Sequence, residues 1–129
     1  MNHFYIITNS EKDENLKTTR KIYDYLTAHG RTCTVREYQK LSREEEPGMP
    51  VGYTDADWIP QETQCILVLG GDGTLIQAAR DTVNRRIPLL GINLGNLGYL
   101  AEIEKAGVLD AMDSLMADDY TLEPRMMLE

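Results

Sequence analysis

Apolar residues in this chain fall into short unbroken runs separated by stretches where they recur every three or four positions, and the two patterns alternate. The first run, His3 to Thr8 (HFYIIT), is rich in aromatic and β-branched residues and too short for a helix, which predicts a strand buried on both faces. The stretch NSEKDENLKTTRKIYDYLTAHG opens with acidic residues and brings Leu16, Ile22, Tyr23 and Leu26 toward one helical face. Gly30 stands where a helix is expected to stop. Residues 32 to 37 (TCTVRE) predict a second short strand. Between Gln39 and Gln64 the periodicity dissolves among charges and Pro47, Pro50 and Pro60, as in a lid or a variable insertion. Cys65 to Leu69 (CILVL) is the most hydrophobic run and predicts a third strand. From Thr74 to about Arg85 a helix is expected, with Leu75, Ala78, Ala79 and Val83 inward. Residues 87 to 93 (IPLLGIN) predict a fourth strand. Lys105 to Met116 predicts a third helix carrying Val108, Leu109, Met112, Leu115 and Met116.

Strands alternating with helices imply an α/β domain, because parallel neighbours need crossover connections that helices supply. Ligands of such sheets bind outside the carboxyl ends of the strands. Two glycine-rich turns fall at such ends. Gly70-Gly71-Asp72-Gly73 follows the third strand and GINLGNLGYL forms the end of the fourth, so six of the ten glycines lie between Gly70 and Gly98. Glycine there permits positive φ and lets main-chain N–H groups approach a ligand with no Cβ in the way. The helix that follows adds unpaired N–H groups and a positive dipole end, an anion site that needs no lysine.

Composition sharpens this picture. With 129 residues, 42% hydrophobic and 26% charged, the chain suits one globular domain. The net charge of −8 gives no general attraction for nucleic acid or anionic membrane, so phosphates must be held by a local site. Cys33 and Cys65 belong to no metal-ligand pattern and are expected as buried reduced thiols rather than a disulfide. The N-terminal MNHFYIITNS lacks a basic leader and no apolar run reaches membrane-spanning length, so a soluble cytoplasmic protein is expected.

Asp72 is the residue that phosphate binding alone leaves unexplained, since a carboxylate repels a phosphate. It suits a helix cap, a bridge through Mg²⁺, or a base that takes a proton from an attacking hydroxyl. Three glycines are more than a cap requires. The turn also lacks the Gly-Lys-Ser/Thr ending of a P-loop and the G-x-G-x-x-G spacing of a redox fingerprint.

LGGDGTLIQAAR followed by IPLLGINLGNLGYLAEI resembles the NAD kinase family. The GGDGT core alone is shared with diacylglycerol and sphingosine kinases and 6-phosphofructokinases, and the second motif narrows the resemblance. It implies a Rossmann-like, three-layer domain with a mainly parallel sheet flanked by helices, over residues 1–122. Residues 123–129 would begin the crossover to a β-rich domain not contained in this chain, with Met126, Met127 and Leu128 facing it. The implied activity is phosphorylation of the 2′-hydroxyl of the adenosine ribose of NAD, with ATP or polyphosphate as donor and Mg²⁺ as counter-ion. The implied base is Asp72. Gly70, Gly71, Gly73 and Thr74 would face the phosphates, Asn93 and Gly95 would shape the pocket wall, and Tyr99 and Leu100 would line the adenine pocket. No metal-ligating residue is assigned, and the complete protein is expected as a dimer or tetramer. Tyr99 replaces the family's usual Phe, and Gln77 stands where several members carry a basic residue. A lipid or sugar kinase sharing the turn, and a nucleotide-binding module without catalysis, are the alternatives.

Overall fold

In the computed structural model the chain is described for residues 1–9, 13–37, 39–40, 52–53, 56–94, 103–104 and 107–119. The expected strands form at β1 (His3–Thr8), β2 (Thr32–Glu37), β5 (Cys65–Gly70) and β6 (Leu89–Asn93). Short β3 (Gln39–Lys40) and β4 (Gly52–Tyr53) pair antiparallel inside the stretch that shows no period in sequence. The helices are α1 (Lys17–Ala28), α2 (Asp72–Thr82) and α3 (Val108–Met116), and β7 (Ile103–Glu104) is a two-residue strand that sequence periodicity does not reveal. The main sheet has the order β2-β1-β5-β6-β7, and every pairing within it is parallel.

Alternating residues of the central strands build two cores. Phe4 and Ile6 of β1, with Cys65, Leu67 and Leu69 of β5, meet Ile22 and Leu26 of α1 and Val108, Met112 and Leu115 of α3. Tyr5 and Ile7, with Ile66 and Val68, meet Leu75, Ala78 and Ala79 of α2 on the other side. The domain is therefore a three-layer, Rossmann-like α/β sandwich, with α1 and α3 on one face and α2 on the other. Side chains as large as Ile22 and Leu26 are fully buried, each worth about 1.5–3 kcal/mol relative to exposure. The edge strand β2 lies half-exposed, in keeping with its mixed composition. At the lower rim the Met1 amine donates to Leu115 O at 3.0 Å and pairs with Asp118 Oδ1 at 2.6 Å, tying the start of β1 to the end of α3.

Several boundaries differ from those expected. Helix α1 begins only at Lys17, because Asn15 and Leu16 take left-handed φ values of 56° and 53° and turn the chain back before it. Tyr23, about 100° round the helix from the buried Ile22, points outward at 40% exposure, and the inner face is completed by Thr18 and Thr19. Gly30 does stop α1, with φ of +79°. Val83 is 45% exposed rather than inward, since α2 ends at Thr82 and a tighter 3₁₀ turn over Val83–Arg85 swings it out. Strand β6 starts two residues late at Leu89; Pro88 has no N–H for the ladder, although its carbonyl accepts Ile66 N–H at 2.9 Å. Helix α3 starts at Val108 behind Gly107.

Phe4 of β1 pairs with Cys33 on one side and Cys65 on the other. With neighbouring strands about 4.8 Å apart, the two cysteines lie roughly 9–10 Å from each other, beyond the span of about 7 Å that a disulfide bridges. Both are free thiols, and burial pushes each pKa up to about 12. No helix among the described residues is long and apolar enough to cross a membrane. Residues 120–129, including Met126, Met127 and Leu128 and the expected domain boundary, lie outside the described part.

Candidate functional site

Strand order locates the site. From β1 the chain runs to β2 on one side, whereas β5 and β6 extend the sheet on the other. Helix α1, leaving β1, covers one face, and α2, leaving β5, covers the opposite face. The connections diverge between the carboxyl ends of β1 and β5, which is the topological switch point where open α/β sheets bind ligands. Its lip consists of Thr8 and Asn9 on one side and Gly70 to Thr74 on the other.

The lip is held from both flanks. Asn9 N–H donates to Leu69 O at 2.9 Å, carrying the β1–β5 ladder one residue past β1. Leu94 N–H donates to Gly70 O at 3.0 Å, and Gly70 pairs in register with Asn93. Gly70 is buried, and a Cβ built on it would meet Thr74 Oγ1 at 2.8 Å, Thr74 Cβ at 3.0 Å and Asn9 Cβ at 3.3 Å. Its glycine serves close packing. At Gly71 and Gly73, chain neighbours and the helix's own backbone aside, no atom of the described residues lies within 4 Å of a built Cβ, so the main chain there is open to approach.

Two sequence expectations need correction. The turn does not use positive φ: Gly71 is extended, at φ −106° and ψ −169°, and among the described residues Gly30 is the glycine with positive φ. The first two residues after Gly70 simply run from strand into helix. The start of the helix also differs. Helix α2 starts at Asp72 rather than Thr74, and Gly71 is its N-cap, with no side-chain cap hydrogen bond. Leu75 N–H returns to Gly71 O at 3.2 Å. The structure thus gathers Gly70, Gly71, Asp72, Gly73, Thr74 and Asn93 at one edge of the sheet, while Gly95, Tyr99 and Leu100 lie outside the described residues.

Helix α1 presents the contrasting N-terminus. The Asp13 carboxylate accepts Thr18 N–H at 3.0 Å, Thr19 N–H at 2.8 Å and Thr19 Oγ1–H at 2.6 Å. The Thr19 hydroxyl also lies 2.8 Å from Thr8 Oγ1. Asp13 is buried, at 4% exposure. Burial alone would raise its pKa, but the bonds from the Thr19 hydroxyl and the two N–H groups outweigh that and hold the carboxyl below its ordinary value. A side-chain anion therefore already occupies the positive end of α1, whereas the cap of α2 is a bare glycine. Among the described residues, a carboxylate bonds the first-turn N–H groups of α1 and none bonds those of α2, the kind of helix end that suits an anion.

Sequence inspection missed Asn9, Asp13, Thr8 and Thr19. Asp13 lay in an acid-rich stretch that read as the first turn of a helix, and nothing local distinguishes it from Glu11 or Glu14. Asn9 carried only the signal of a polar residue directly after a buried strand. Gln77 spans one helical turn, donating from Nε2 to Asp81 Oδ1 at 3.0 Å. Among the described residues no group of three His, Cys, Asp or Glu is placed to hold a metal ion.

Comparison with known proteins agrees with this arrangement. The ATP-NAD kinase N-terminal domain family matches residues 4–120. A protein named NAD kinase from Agathobacter rectalis is 48% identical over 130 residues, covering 99% of this chain and 43% of that protein. Another NAD kinase, from Lachnoclostridium phytofermentans, is 43% identical over 129 residues, covering all of this chain and 42% of the relative. The NAD kinase of Lachnospira eligens is 40% identical, again with 43% of its length covered. The chain thus spans about two fifths of the length of these relatives. Since the family match runs from β1 past α3, through the elements whose order opens the crevice, the chain belongs to the NAD kinase family and corresponds to its N-terminal domain.

Proposed function

We propose that this chain forms the amino-terminal half of an NAD kinase, a phosphotransferase that moves the terminal phosphoryl group of ATP, or of polyphosphate, to the 2′-hydroxyl of the adenosine ribose of NAD. The observation that carries this reading is the unequal treatment of the two helix ends at the switch point. Asp13 fills that of α1, and the glycine-capped end of α2 carries the GGDGT turn.

In this scheme Asp72, the first residue of α2, accepts the proton of the ribose hydroxyl. The oxygen so released forms a bond to the terminal phosphorus, while the bond from that phosphorus to the bridging oxygen breaks and ADP leaves with the electron pair. Gly70, Gly71, Gly73 and Thr74 border the phosphates, with the main chain at Gly71 and Gly73 able to approach them. Asn93 and Gly95 shape the wall, and Tyr99 and Leu100 line the adenine pocket, where an aromatic ring suits stacking. Mg²⁺ would accompany the donor, held by its phosphate oxygens and by water, and would neutralise part of their charge. Residues 1–122 constitute the α/β domain, with 123–129 leading toward a β-rich domain. The complete protein is a soluble, cytoplasmic dimer or tetramer acting on small nucleotides, not on nucleic acid or membranes.

Substituting Asp72→Asn in the full-length enzyme tests the central assignment. The amide keeps the size of the carboxylate but cannot take the proton, so kcat should fall about 10²-fold or more. KM for NAD and the melting temperature should stay nearly unchanged, since the helix cap is Gly71. A nearly active variant would remove Asp72 from the chemistry.

A further inference from the structure

Asn9 occupies a place that the proposed chemistry does not use. It follows β1 directly, at the lip of the switch point, and its backbone is secured in two directions. Its N–H donates to Leu69 O at 2.9 Å, and its carbonyl accepts Asp13 N–H at 3.0 Å. Asp13 is itself locked to the first turn of α1 through Thr18 and Thr19. From this frame the side chain reaches across the crevice, and Nδ2 donates to Thr74 Oγ1 at 3.3 Å. Thr74 is buried, at 5% exposure, in the opening turn of α2. Gly70 leaves the room for this crossing, since the Cβ that it lacks would strike both partners.

We infer that Asn9 is a positioning residue for phosphoryl transfer: through Thr74 it sets the opening turn of α2 against the β1 side of the crevice. The inference rests on the kinase reading given above. A sheet edge and a helix start joined only by a strand-to-helix connection can shift against each other by fractions of an ångström. The Asn9–Thr74 bond links the two lips of this crevice directly, side chain to side chain. Misplacement on the scale of an ångström can cost as much as about 10²-fold in rate, so loss of the link should reduce turnover more than it reduces stability. Asparagine also suits the position electrically. It donates without bringing a negative charge to the end of α2 that is to receive phosphates.

The test uses the full-length enzyme with steady-state kinetics in NAD and Mg-ATP, together with thermal unfolding. Asn9→Ala should lower kcat by about tenfold or more, with KM for NAD changed little and a small change in melting temperature. Asn9→Asp, which can still accept the Thr74 hydroxyl, should keep the melting temperature but raise KM for Mg-ATP through repulsion. Thr74→Val should lower kcat as Asn9→Ala does, and the double variant should be no worse than the poorer single one, because both remove one link. Additive losses in the double variant, or an Asn9→Ala enzyme with wild-type kcat, would overturn the inference. If Asn9→Ala proves too unstable to assay, wild-type KM for Mg-ATP in Asn9→Asp overturns it as well. Asp72→Asn assayed alongside separates the two ideas: full activity there defeats the base assignment, while the Asn9–Thr74 coupling is read independently.

Discussion

Gly70 and Gly73 share one turn yet are glycine for different reasons. Gly70 is caught between Thr74 and Asn9, so Gly70→Ala must push a buried side chain aside. We expect a loss of about 1–3 kcal/mol, read as a lower urea midpoint with unchanged slope. Gly73 lies in the first turn of α2, exposed; chain neighbours and the helix's own backbone aside, no atom of the described residues lies within 4 Å of a built Cβ. Gly73→Ala should leave the protein as stable or raise its stability by up to about 1 kcal/mol through helix propensity. On the proposed reading, in which the main chain at Gly73 meets the phosphates, the same methyl group should raise KM for NAD or Mg-ATP in the full-length enzyme. Equal destabilisation by the two substitutions, or unchanged KM for both substrates in Gly73→Ala, would reject this division of roles.

At the level of the element, α1 is held by a carboxylate that precedes it by a whole turn. Asp13 reaches past the left-handed Asn15 and Leu16 to bond the N–H groups of Thr18 and Thr19, a competition between side chain and backbone that delays the helix start. Removing it in Asp13→Ala leaves buried donors unmet and should cost about 1–3 kcal/mol at neutral pH. The pKa of Asp13 in the folded chain lies below its ordinary value of 3.8, so its contribution is complete above that value and is lost as pH falls through the lower folded pKa. The stability gap between wild type and Asp13→Ala should therefore hold at neutral pH and narrow under acid, below the ordinary value. Paired denaturation curves across that range check it, and a gap that widens on acidification would contradict the sign.

On the scale of the whole molecule, two flanking layers on opposite faces of the sheet open one crevice, and among the described residues a carboxylate bonds the first-turn N–H groups of α1 and none bonds those of α2. On the proposed reading, that arrangement is one wall of a nucleotide site. The relatives named NAD kinase are more than twice as long as this chain, which covers 42–43% of their lengths. A single wall cannot hold donor and acceptor in attack geometry. The 129-residue chain alone is therefore expected to form no measurable NADP from NAD and Mg-ATP. Turnover in the range of ordinary kinases by this chain would show that the site is complete within it.

The elements that the sequence determined are those governed by local pattern. The buried runs at 3–8 and 65–69 are strands because their side chains suit a sheet covered on both faces. Helix α2 follows a glycine turn, and the order of strands and helices leaves little but an α/β sandwich. The GGDGT turn was legible because three glycines surround a carboxylate directly after a buried run, and the family resemblance rested on that turn and its neighbour. Tertiary structure decided which strands adjoin and so where the crevice opens. It brought Asn9 to Thr74 across 65 residues of chain, and it made Asp13 an anchor of α1. It also moved the start of α2 from Thr74 to Asp72 and turned Tyr23 and Val83 outward. The physical reason is range. Hydrophobic period and turn chemistry act over a few residues, whereas a polar side chain takes its partner from whatever the fold packs beside it.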